Sequence, residues 1–347
     1  MIEIKSISNQ AIIDCLVKYY DLRVVELTYL PLGADMNASV YKARTHDNLS
    51  YFVKLKRGIQ HDIGPIIIKL LHDAGIQQII PILLTIQGQP TQLLDDFTLT
   101  VFSFIEGQDG FTCKLTKEQW FMLGTVMKKI HSIDVPPSIH NKIRQESYSP
   151  KWREAVKSLC DYITSEPSGD DVALKLLAFM KKHRTAIQRL VDRAEQLAEQ
   201  IKAQQSILVL CHSDLHAGNV LMDKSGALYI VDWDEPIMAP KERDLMFIGG
   251  GVANVWNKSC EEEIFYKGYG KTEINMSLLA YYRYERIVED IAIYGHQLLF
   301  TTEGGRGRIE SLKQFMAQFE DQGVVEIAFK TDDGLRYTNS KSSNDTY

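Results

Sequence analysis

The sequence predicts an α+β fold, with a small β-rich N-terminal region followed by a larger α-helical C-terminal region. Strand signals dominate the first hundred residues, where Ala38–Arg44 and Tyr51–Lys56 flank a turn-rich segment as in a hairpin. Helical periodicity dominates after Thr116, and the change of character falls near Ser103–Gly110. These observations place one region at 1–105 and a second at 106–329, with a polar, disordered tail at 330–347.

Each predicted element has a local reason. A helix is expected over Ile66–Asp73, because Pro65 suits a first helical turn and Gly75 suits a stop. Thr98–Ile105 is a β-rich run, and Thr116 forms a capping-box pattern with a glutamine three residues later. Further helices are predicted at Trp152–Ser165, Asp171–Ala203, Ser277–Phe300 and Arg306–Glu320, with short strands near Ile207–Cys211 and Val220–Trp233.

Composition excludes several classes of protein. The 347 residues include 45% hydrophobic side chains, enough for a sizeable core, and carry a net charge of -6, which disfavours a nucleic-acid binder. The N-terminus lacks the apolar segment of a signal peptide, and no apolar run is long enough to span a bilayer. Five cysteines without close pairs indicate reduced thiols. We therefore expect a cytoplasmic protein, without a membrane partner and with a monomer favoured.

The segment Leu210–Asp234 carries the chemistry. A strand at Val220–Met222 and a return at Leu228–Val231 flank a turn, so a hairpin would bring Asp232 beside Asn219. Oxygen ligands of this kind suit Mg²⁺, and Asp214 lies in the preceding loop, where it can accept a proton from a hydroxyl. The spacing predicts phosphoryl transfer, which needs an oriented nucleophile and cations across phosphates.

Three other interpretations stay open for this segment. Single Asp and Asn residues often cap turns. His212, Asp214 and His216 alternate and could instead form a zinc site for hydrolysis. A nucleotide-binding pseudokinase is the third, although its usual sign, the loss of Asp214, Asn219 or Asp232, is missing.

The segments His212–Asn219 and Ile230–Asp234 resemble the aminoglycoside phosphotransferase and choline kinase superfamily. The resemblance extends to Tyr148–Arg153, Ala239–Gly251 and Arg286–Ile291, and it implies a protein-kinase-like fold of two lobes. It also implies a kinase that uses ATP and Mg²⁺ to phosphorylate a hydroxyl of an aminocyclitol or aminoglycoside antibiotic, which gives resistance. A metabolic kinase acting on choline, a sugar or another amino alcohol is the alternative.

By the same resemblance, Asp214 is the catalytic base, Asn219 and Asp232 hold magnesium, and Asp244 supports the catalytic loop by hydrogen bonds. Further residues are implied in nucleotide binding: Lys54 on the phosphates, Asp62 as its acidic partner, Gly33 and Ser39 in the phosphate loop, and Ser103 and Ile105 on adenine.

A cationic aminocyclitol would need carboxylates around its amines. The acids of the helix near Arg283–Tyr294 are candidates, since two of them are four residues apart and share one face. With Asp214 at the reacting hydroxyl, the candidate substrate residues are Asp234, Glu235, Trp256 as an apolar wall, Glu285, Glu289 and Asp290. The alternative for the helical acids is a solvated face or internal salt bridges with Arg283 and Arg286.

Overall fold

A computed structural model gives the fold of this chain. It describes residues 7–31, 38–58, 63–165, 169–301 and 305–342, and the structural statements below refer to these residues. The α+β class predicted from the sequence is confirmed, with an antiparallel sheet in the N-terminal part and helices in the C-terminal part. No helix among the described residues combines the length and hydropathy needed to cross a membrane.

Helices and strands alternate early in the chain, and helices prevail later. The helices are α1 (Asn9–Tyr20), α2 (Ile63–Asp73), α3 (Lys117–His131), α4 (Pro137–His140), α5 (Lys151–Thr164), α6 (Asp171–Lys182), α7 (Arg184–Lys202), α8 (Glu242–Leu245), α9 (Ser259–Tyr269), α10 (Met276–Phe300), α11 (Gly305–Ala317) and α12 (Val324–Ser342). The strands are β1 (Val24–Leu30), β2 (Ala38–Thr45), β3 (Ser50–Arg57), β4 (Gln92–Leu94), β5 (Phe97–Ser103), β6 (Gly107–Asp109), β7 (Arg144–Gln145), β8 (Val209–Cys211), β9 (Val220–Asp223), β10 (Leu228–Ile230) and β11 (Ile237–Ala239).

The first compact unit holds a five-stranded antiparallel sheet in the order β1-β2-β3-β5-β4. The predicted hairpin is confirmed, because β2 pairs with β3 from Ala38 opposite Lys56 to Arg44 opposite Ser50. Strand β3 also pairs with β5, so it lies inside the sheet with neighbours on both edges. A buried cluster that includes Ile12 and Leu16 of α1 packs on this sheet, and sequence reasoning did not find α1.

Residues 219–236 belong to the first unit, although they follow the segment Lys114–Gly218 of the second. The reason is strand pairing, since β9 pairs with both β10 and β6. The first unit therefore comprises the described residues up to Cys113 together with Asn219–Pro236, whereas the sequence placed a single boundary after residue 105.

Helices build the second unit, which contains Lys114–Gly218 and the described residues from Ile237 onward. The long helix α10 packs against α5, α7 and α12, and helix α3 packs against α9. Glycines allow the close approach of α3 and α9, because a Cβ on Gly124 would lie 2.1 Å from the Phe265 carbonyl oxygen and one on Gly268 would lie 2.0 Å from the Phe121 carbonyl oxygen.

Two sequence predictions for the second unit need correction. The helix predicted over 171–203 is two helices, α6 and α7, which are separated at His183. The disordered tail predicted from residue 330 is wrong as far as Ser342, since α12 continues to that residue. Buried Asp332 accepts hydrogen bonds from Arg193 Nε at 2.7 Å and Nη2 at 2.8 Å, which fixes this helix to α7 despite its polar composition. Residues 343–347 lie outside the described part.

We predict that Gly124→Ala lowers the free energy of unfolding by about 1–3 kcal/mol, because the added methyl group overlaps the backbone of α9. Urea denaturation followed by circular dichroism measures this loss. The matched control is Gly307→Ala in α11, where a Cβ meets no atom within 4 Å. That control should be neutral or stabilising by up to about 1 kcal/mol, since alanine favours the helix. Equal stability of Gly124→Ala and the wild type would contradict the prediction.

Candidate active site

The predicted hairpin around Asn219 and Asp232 is confirmed. Ile230 of β10 lies opposite Val220 of β9, and the Val231 amide donates to the Asn219 carbonyl at 3.0 Å. The turn is closed by Asp223, whose Oδ1 accepts from the amides of Ser225 at 2.8 Å and Ala227 at 2.9 Å. Asp232 follows Val231, and Asn219 precedes β9. The pairing of β9 with β10 therefore places Asp232 near Asn219, as the sequence predicts.

Lys54 meets this hairpin through two carboxylates. Its Nζ lies 2.8 Å from Asp232 Oδ1 and 2.8 Å from Asp234 Oδ2. Burial lowers the pKa of Lys54, but the two adjacent carboxylates outweigh that effect and hold its pKa above the ordinary value. Because β3 is an inner strand, the ammonium is a fixed positive charge at this end of the hairpin.

Asp234, a candidate substrate residue, lies between two lysines of β3. Besides Lys54, its Oδ2 accepts from Lys56 Nζ at 3.1 Å. Two lysines therefore pair with this carboxylate, and its role as a substrate ligand stays a prediction. Glu235 is exposed at the next position. The predicted partner of Lys54, Asp62, lies outside the described residues.

The donor set of the hairpin suits a hard cation. The Asn219 side chain is buried, whereas the Asp232 carboxylate is 47% exposed and extends from a backbone with φ of 64°. Left-handed backbone costs energy for most residues but is tolerated by Asp and Asn. Carboxylate and amide oxygens are ligands that Mg²⁺ accepts, so these two residues fit the metal that the sequence predicts.

The remaining nucleotide residues are partly placed. Ser39 is partly buried near the start of β2, beside the residue that faces Lys54. Ser103 ends β5 and is exposed, and Ile105 follows it and is partly buried. Gly33 lies outside the described residues.

A buried carboxylate organises the loop that follows β8 in the second unit. Asp244 is 0% exposed and accepts hydrogen bonds from the amides of His212 at 2.9 Å and Ser213 at 2.8 Å. Its Oδ2 also lies 3.0 Å from His131 Nε2, and His131 Nδ1 lies 2.8 Å from the Tyr269 hydroxyl. The supporting role predicted for Asp244 is confirmed by these bonds.

Asp214 follows that anchored pair and is ionised. Its Oδ1 accepts a hydrogen bond from Arg286 Nη1, and its Oδ2 lies 3.5 Å from His216 Nε2. Burial raises the pKa of Asp214, but the charges of Arg286, His216 and His212 lower it more strongly, to about 2. The carboxylate is therefore deprotonated at neutral pH.

The geometry of the two loop histidines weighs against a zinc site. The Gly218 amide donates to His216 Nδ1 at 3.0 Å, and the Asp214 amide donates to His212 Nδ1 at 3.3 Å. Each ring therefore uses one nitrogen on the loop backbone. Among the described residues, the group whose potential metal-ligating atoms lie close together consists instead of His131, Cys211 and Asp244.

The acids of α10 have separate environments. Glu285, predicted to bind substrate, forms a buried ion pair with Arg153, and their side chains are only 7% and 2% exposed. Its carboxylate is therefore already paired within the unit, and its role in substrate binding stays a prediction. Asp290 Oδ1 lies 3.2 Å from Arg286 Nε, so the alternative of an internal salt bridge applies to this residue.

Glu289 remains available. Among the described residues it carries no hydrogen bond or ion pair, although its charge contributes to raising the pKa of Arg286. The predicted wall residue Trp256 is buried and packs edge-on against Trp120, with ring centroids 5.0 Å apart. It lines a small cavity that His216 and Phe247 also line, so it lies near the loop that follows β8.

Sequence reasoning missed the role of Arg286 at Asp214 and the link from Lys56 to Asp234. The four-residue spacing of Arg286 and Asp290 on a helix is a usable signal for their ion pair. No local signal links Arg286 to Asp214, which lies 72 positions earlier.

Comparisons with known proteins agree with this geometry. A model of a phosphotransferase enzyme family matches residues 28–257. The chain is similar to spectinomycin phosphotransferase in complex with ADP and spectinomycin, at 45% identity and a TM-score of 0.89, over 94% of this chain and 99% of that chain. It is likewise similar to the AMP-bound complex of spectinomycin phosphotransferase, at 44% identity and a TM-score of 0.85, over 93% and 99%.

More distant structures share the fold alone. One is an aminoglycoside phosphotransferase from Alicyclobacillus acidocaldarius, at 14% identity and a TM-score of 0.62, over 94% of this chain and 97% of that chain. A comparison with curated protein sequences gave no match.

We predict that Asp244→Ala destabilises the protein by about 2–4 kcal/mol, because the amides of His212 and Ser213 lose their acceptor in a buried place. Chemical denaturation measures the loss. Asp333→Ala, a matched change at a carboxylate that is 58% exposed, should alter stability by less than about 0.5 kcal/mol.

The pH dependence of this contribution has a definite sign. Burial raises the pKa of Asp244, but the hydrogen bond and charge of His131 outweigh it and leave the pKa below its ordinary value. The stabilisation is therefore fully present above the ordinary carboxyl pKa and is lost as the pH falls through the lowered one. A stability difference between the wild type and Asp244→Ala that grew on acidification would contradict this assignment.

Proposed function

This chain belongs to the phosphotransferase enzyme family, and we propose that it transfers the γ-phosphoryl group of ATP to a hydroxyl of spectinomycin. The observation that carries the reaction type is the ion-pair cluster of Lys54 with Asp232 and Asp234 at the end of the Asn219 hairpin. The substrate is supported by 45% identity, over nearly the full length of both chains, to an enzyme bound to spectinomycin and ADP.

In this proposal Lys54 contributes a positive charge to the nucleotide phosphates, since its two carboxylate partners keep it protonated. Ser103 and Ile105 supply backbone groups to adenine, and Gly33 and Ser39 belong to the phosphate-binding loop. Asn219 and Asp232 would hold Mg²⁺, which offsets the negative charge of the phosphates when bound.

Asp214 receives the proton of the substrate hydroxyl. The hydroxyl oxygen forms a bond to the γ-phosphorus, the bond from that phosphorus to the β,γ-bridging oxygen breaks, and ADP leaves. A carboxylate with a pKa of about 2 is a weak base, so its contribution is chiefly orientation of the hydroxyl. The loose transition state of phosphoryl transfer makes orientation more important than basicity.

Spectinomycin carries two secondary amines that are positively charged at neutral pH, and carboxylates would pair with them. Glu289 is the α10 acid that remains for this role, because Glu285 is paired with Arg153 and Asp290 lies against Arg286. We assign the cationic contact to Glu289 and place Glu235 as a second acid for the substrate.

The purified protein should turn over ATP with spectinomycin in a coupled assay, and Asp214→Asn should lower kcat by about 10²–10⁴-fold. The expected loss arises because the amide cannot take a proton. Since the amide keeps the shape of the side chain, MgADP binding measured by calorimetry should be unchanged. Asp333→Asn is the matched control and should keep full turnover, because this carboxylate is exposed on α12.

The acceptor panel for that assay includes aminoglycosides, choline and simple sugars. Turnover with one of these and none with spectinomycin would support the kinase activity and contradict spectinomycin as the substrate. MgATP binding without turnover of any acceptor would favour the pseudokinase interpretation.

We further predict that Glu289→Gln raises KM for spectinomycin by about 10- to 100-fold, since a charge-assisted hydrogen bond is worth about 1.5–3 kcal/mol. KM for ATP should not change. Glu199→Gln, at an exposed position of α7, is the control for removing one negative charge. An unchanged KM for spectinomycin in Glu289→Gln would remove Glu289 from the substrate site.

A further inference from the structure

Two lysines of β3 share one carboxylate oxygen. Lys54 and Lys56 are two positions apart on this strand, so their side chains leave the same face of the sheet. Val53 and Leu55 alternate with them and are buried in the core on the other face. Asp234 Oδ2 accepts from Lys54 Nζ at 2.8 Å and from Lys56 Nζ at 3.1 Å, and all of these residues belong to the first unit. The carboxylate therefore joins two like charges that would otherwise repel each other.

The proposed function needs the Lys54 ammonium at the nucleotide phosphates, where it must stay in one place and keep part of its charge for the ligand. Building on that function, we propose that Lys56 is a positioning residue, which holds Asp234 so that Lys54 stays directed at the phosphates. In this role Lys56 contacts neither the nucleotide nor the acceptor. It acts on nucleotide binding through the acid that it shares with Lys54.

The backbone of Asp234 is fixed from two sides. The Trp233 side chain is buried, and its Nε1 donates to the Ile230 carbonyl of β10 at 3.2 Å. The Trp233 carbonyl lies against Gly64 of α2, where an added Cβ would lie 2.4 Å from the carbonyl oxygen and 3.7 Å from the Asp234 Cα. Only glycine allows so close an approach of two backbones. Since the backbone is held, the direction of the Asp234 carboxylate depends on its own side-chain torsions and hence on the lysines that it contacts.

Charge explains why a second lysine is needed. Lys54 contacts the carboxylates of Asp232 and Asp234, so these three groups together carry one net negative charge. Nucleotide phosphates are anions, and a negative cluster would repel them. Lys56 adds the positive charge that brings the cluster to neutrality, and it takes up part of the attraction of Asp234. Lys54 is thereby held by Asp234 without being neutralised by it.

Exposure orders the cluster from a closed end to an open end. The side chains of Lys54 and Lys56 are 18% and 19% exposed, whereas that of Asp232 is 47% exposed. Salt screens partly buried pairs less than exposed ones, so the contact between Lys56 and Asp234 is well retained in solution. A ligand therefore reaches the Asp232 end of the cluster, and the pair of Lys56 with Asp234 can stay in place as it binds.

The test is a double-mutant cycle of Lys56→Met and Asp234→Asn, in which calorimetry measures the Kd for MgADP. Methionine keeps the length of the side chain but removes its charge and its donors. In the wild-type background Lys56→Met should raise Kd by about 5- to 10-fold, below the full worth of a hydrogen bond to a charged group. In the Asp234→Asn background it should raise Kd by less than about twofold, because the acid through which it acts has lost its charge. Equal increases in the two backgrounds would show that Lys56 acts without Asp234 and would overturn the proposal.

Two further variants serve as controls. Lys56→Arg restores the charge and the donors, so its Kd should lie within about threefold of the wild type. Lys69→Met, at a lysine of α2 whose side chain is 74% exposed, removes a positive charge elsewhere in the first unit and should leave Kd unchanged. A purely structural role of Lys56 would lower the calorimetric stoichiometry, since fewer molecules would be folded. Lowered stoichiometry of Lys56→Met with an unchanged Kd would therefore contradict the positioning role.

Omission of the metal separates this role from a metal-binding role of Asp234. The cycle is repeated with ADP in EDTA. The coupling between Lys56 and Asp234 should persist, because their contacts with each other and with Lys54 need no cation. A coupling that is present with MgADP and disappears in EDTA would assign Asp234 to the metal and refute the positioning role of Lys56.

Failure of the proposed function gives a different result. An enzyme that binds MgADP but phosphorylates no acceptor loses the proposed function, whereas the Kd cycle still decides the role of Lys56. If the wild type binds no nucleotide, NMR of enzyme labelled with ¹³Cε-lysine follows Lys54 directly, and a resonance that is missing from Lys54→Arg identifies it. That resonance should move in Lys56→Met and not in Lys69→Met. An unmoved Lys54 resonance in Lys56→Met would refute the proposal whatever the ligand.

Discussion

The buried negative charge of Asp244 is the constraint on which the loop that follows β8 depends. A carboxylate without solvent contact is stable only if its oxygens are bonded, and Asp244 obtains the amides of His212 and Ser213 and the ring of His131. His131 of α3 also forms a hydrogen bond with Tyr269 of α9. The network around Asp244 therefore requires these two helices to keep their relative position. The glycine contacts between those helices therefore bear on the position of the loop as well as on the stability of the core.

The charged side chains of helix α10 differ in their burial and in their partners. Glu285 is buried with Arg153, Arg286 contacts both Asp214 and Asp290, and Glu289 forms no hydrogen bond or ion pair with the described residues. Buried ion pairs add little net stability, because desolvation offsets most of their attraction, but losing one partner is costly. These pairs thus fix geometry more than they stabilise the fold. Neighbouring acids on a single helix can therefore have different roles despite identical chemistry.

The sequence predicted those features that depend on pairing between residues close to one another in the chain. The turn at Asp223 and the strands on either side of it are enough to place Asp232 beside Asn219, so the hairpin could be derived from the residues between them. Long-range pairs have no such signal. Lys54 meets Asp234 across 180 positions, and Arg153 meets Glu285 across 132. The continuation of α12 was missed for the same reason, because its anchor at Arg193 is distant in sequence.

The pairing of Lys54 with two acids has a consequence for the proposed metal ligand. Asp232 uses Oδ1 for Lys54, so a cation on the same oxygen would compete with the ammonium. Asp234 holds Lys54 independently at an equal distance, and Lys56 balances the second negative charge. The cluster therefore contains two ammonium groups and two carboxylates, so its formal charges balance. Asp234 therefore keeps Lys54 in place while leaving the carboxylate of Asp232 available to a ligand.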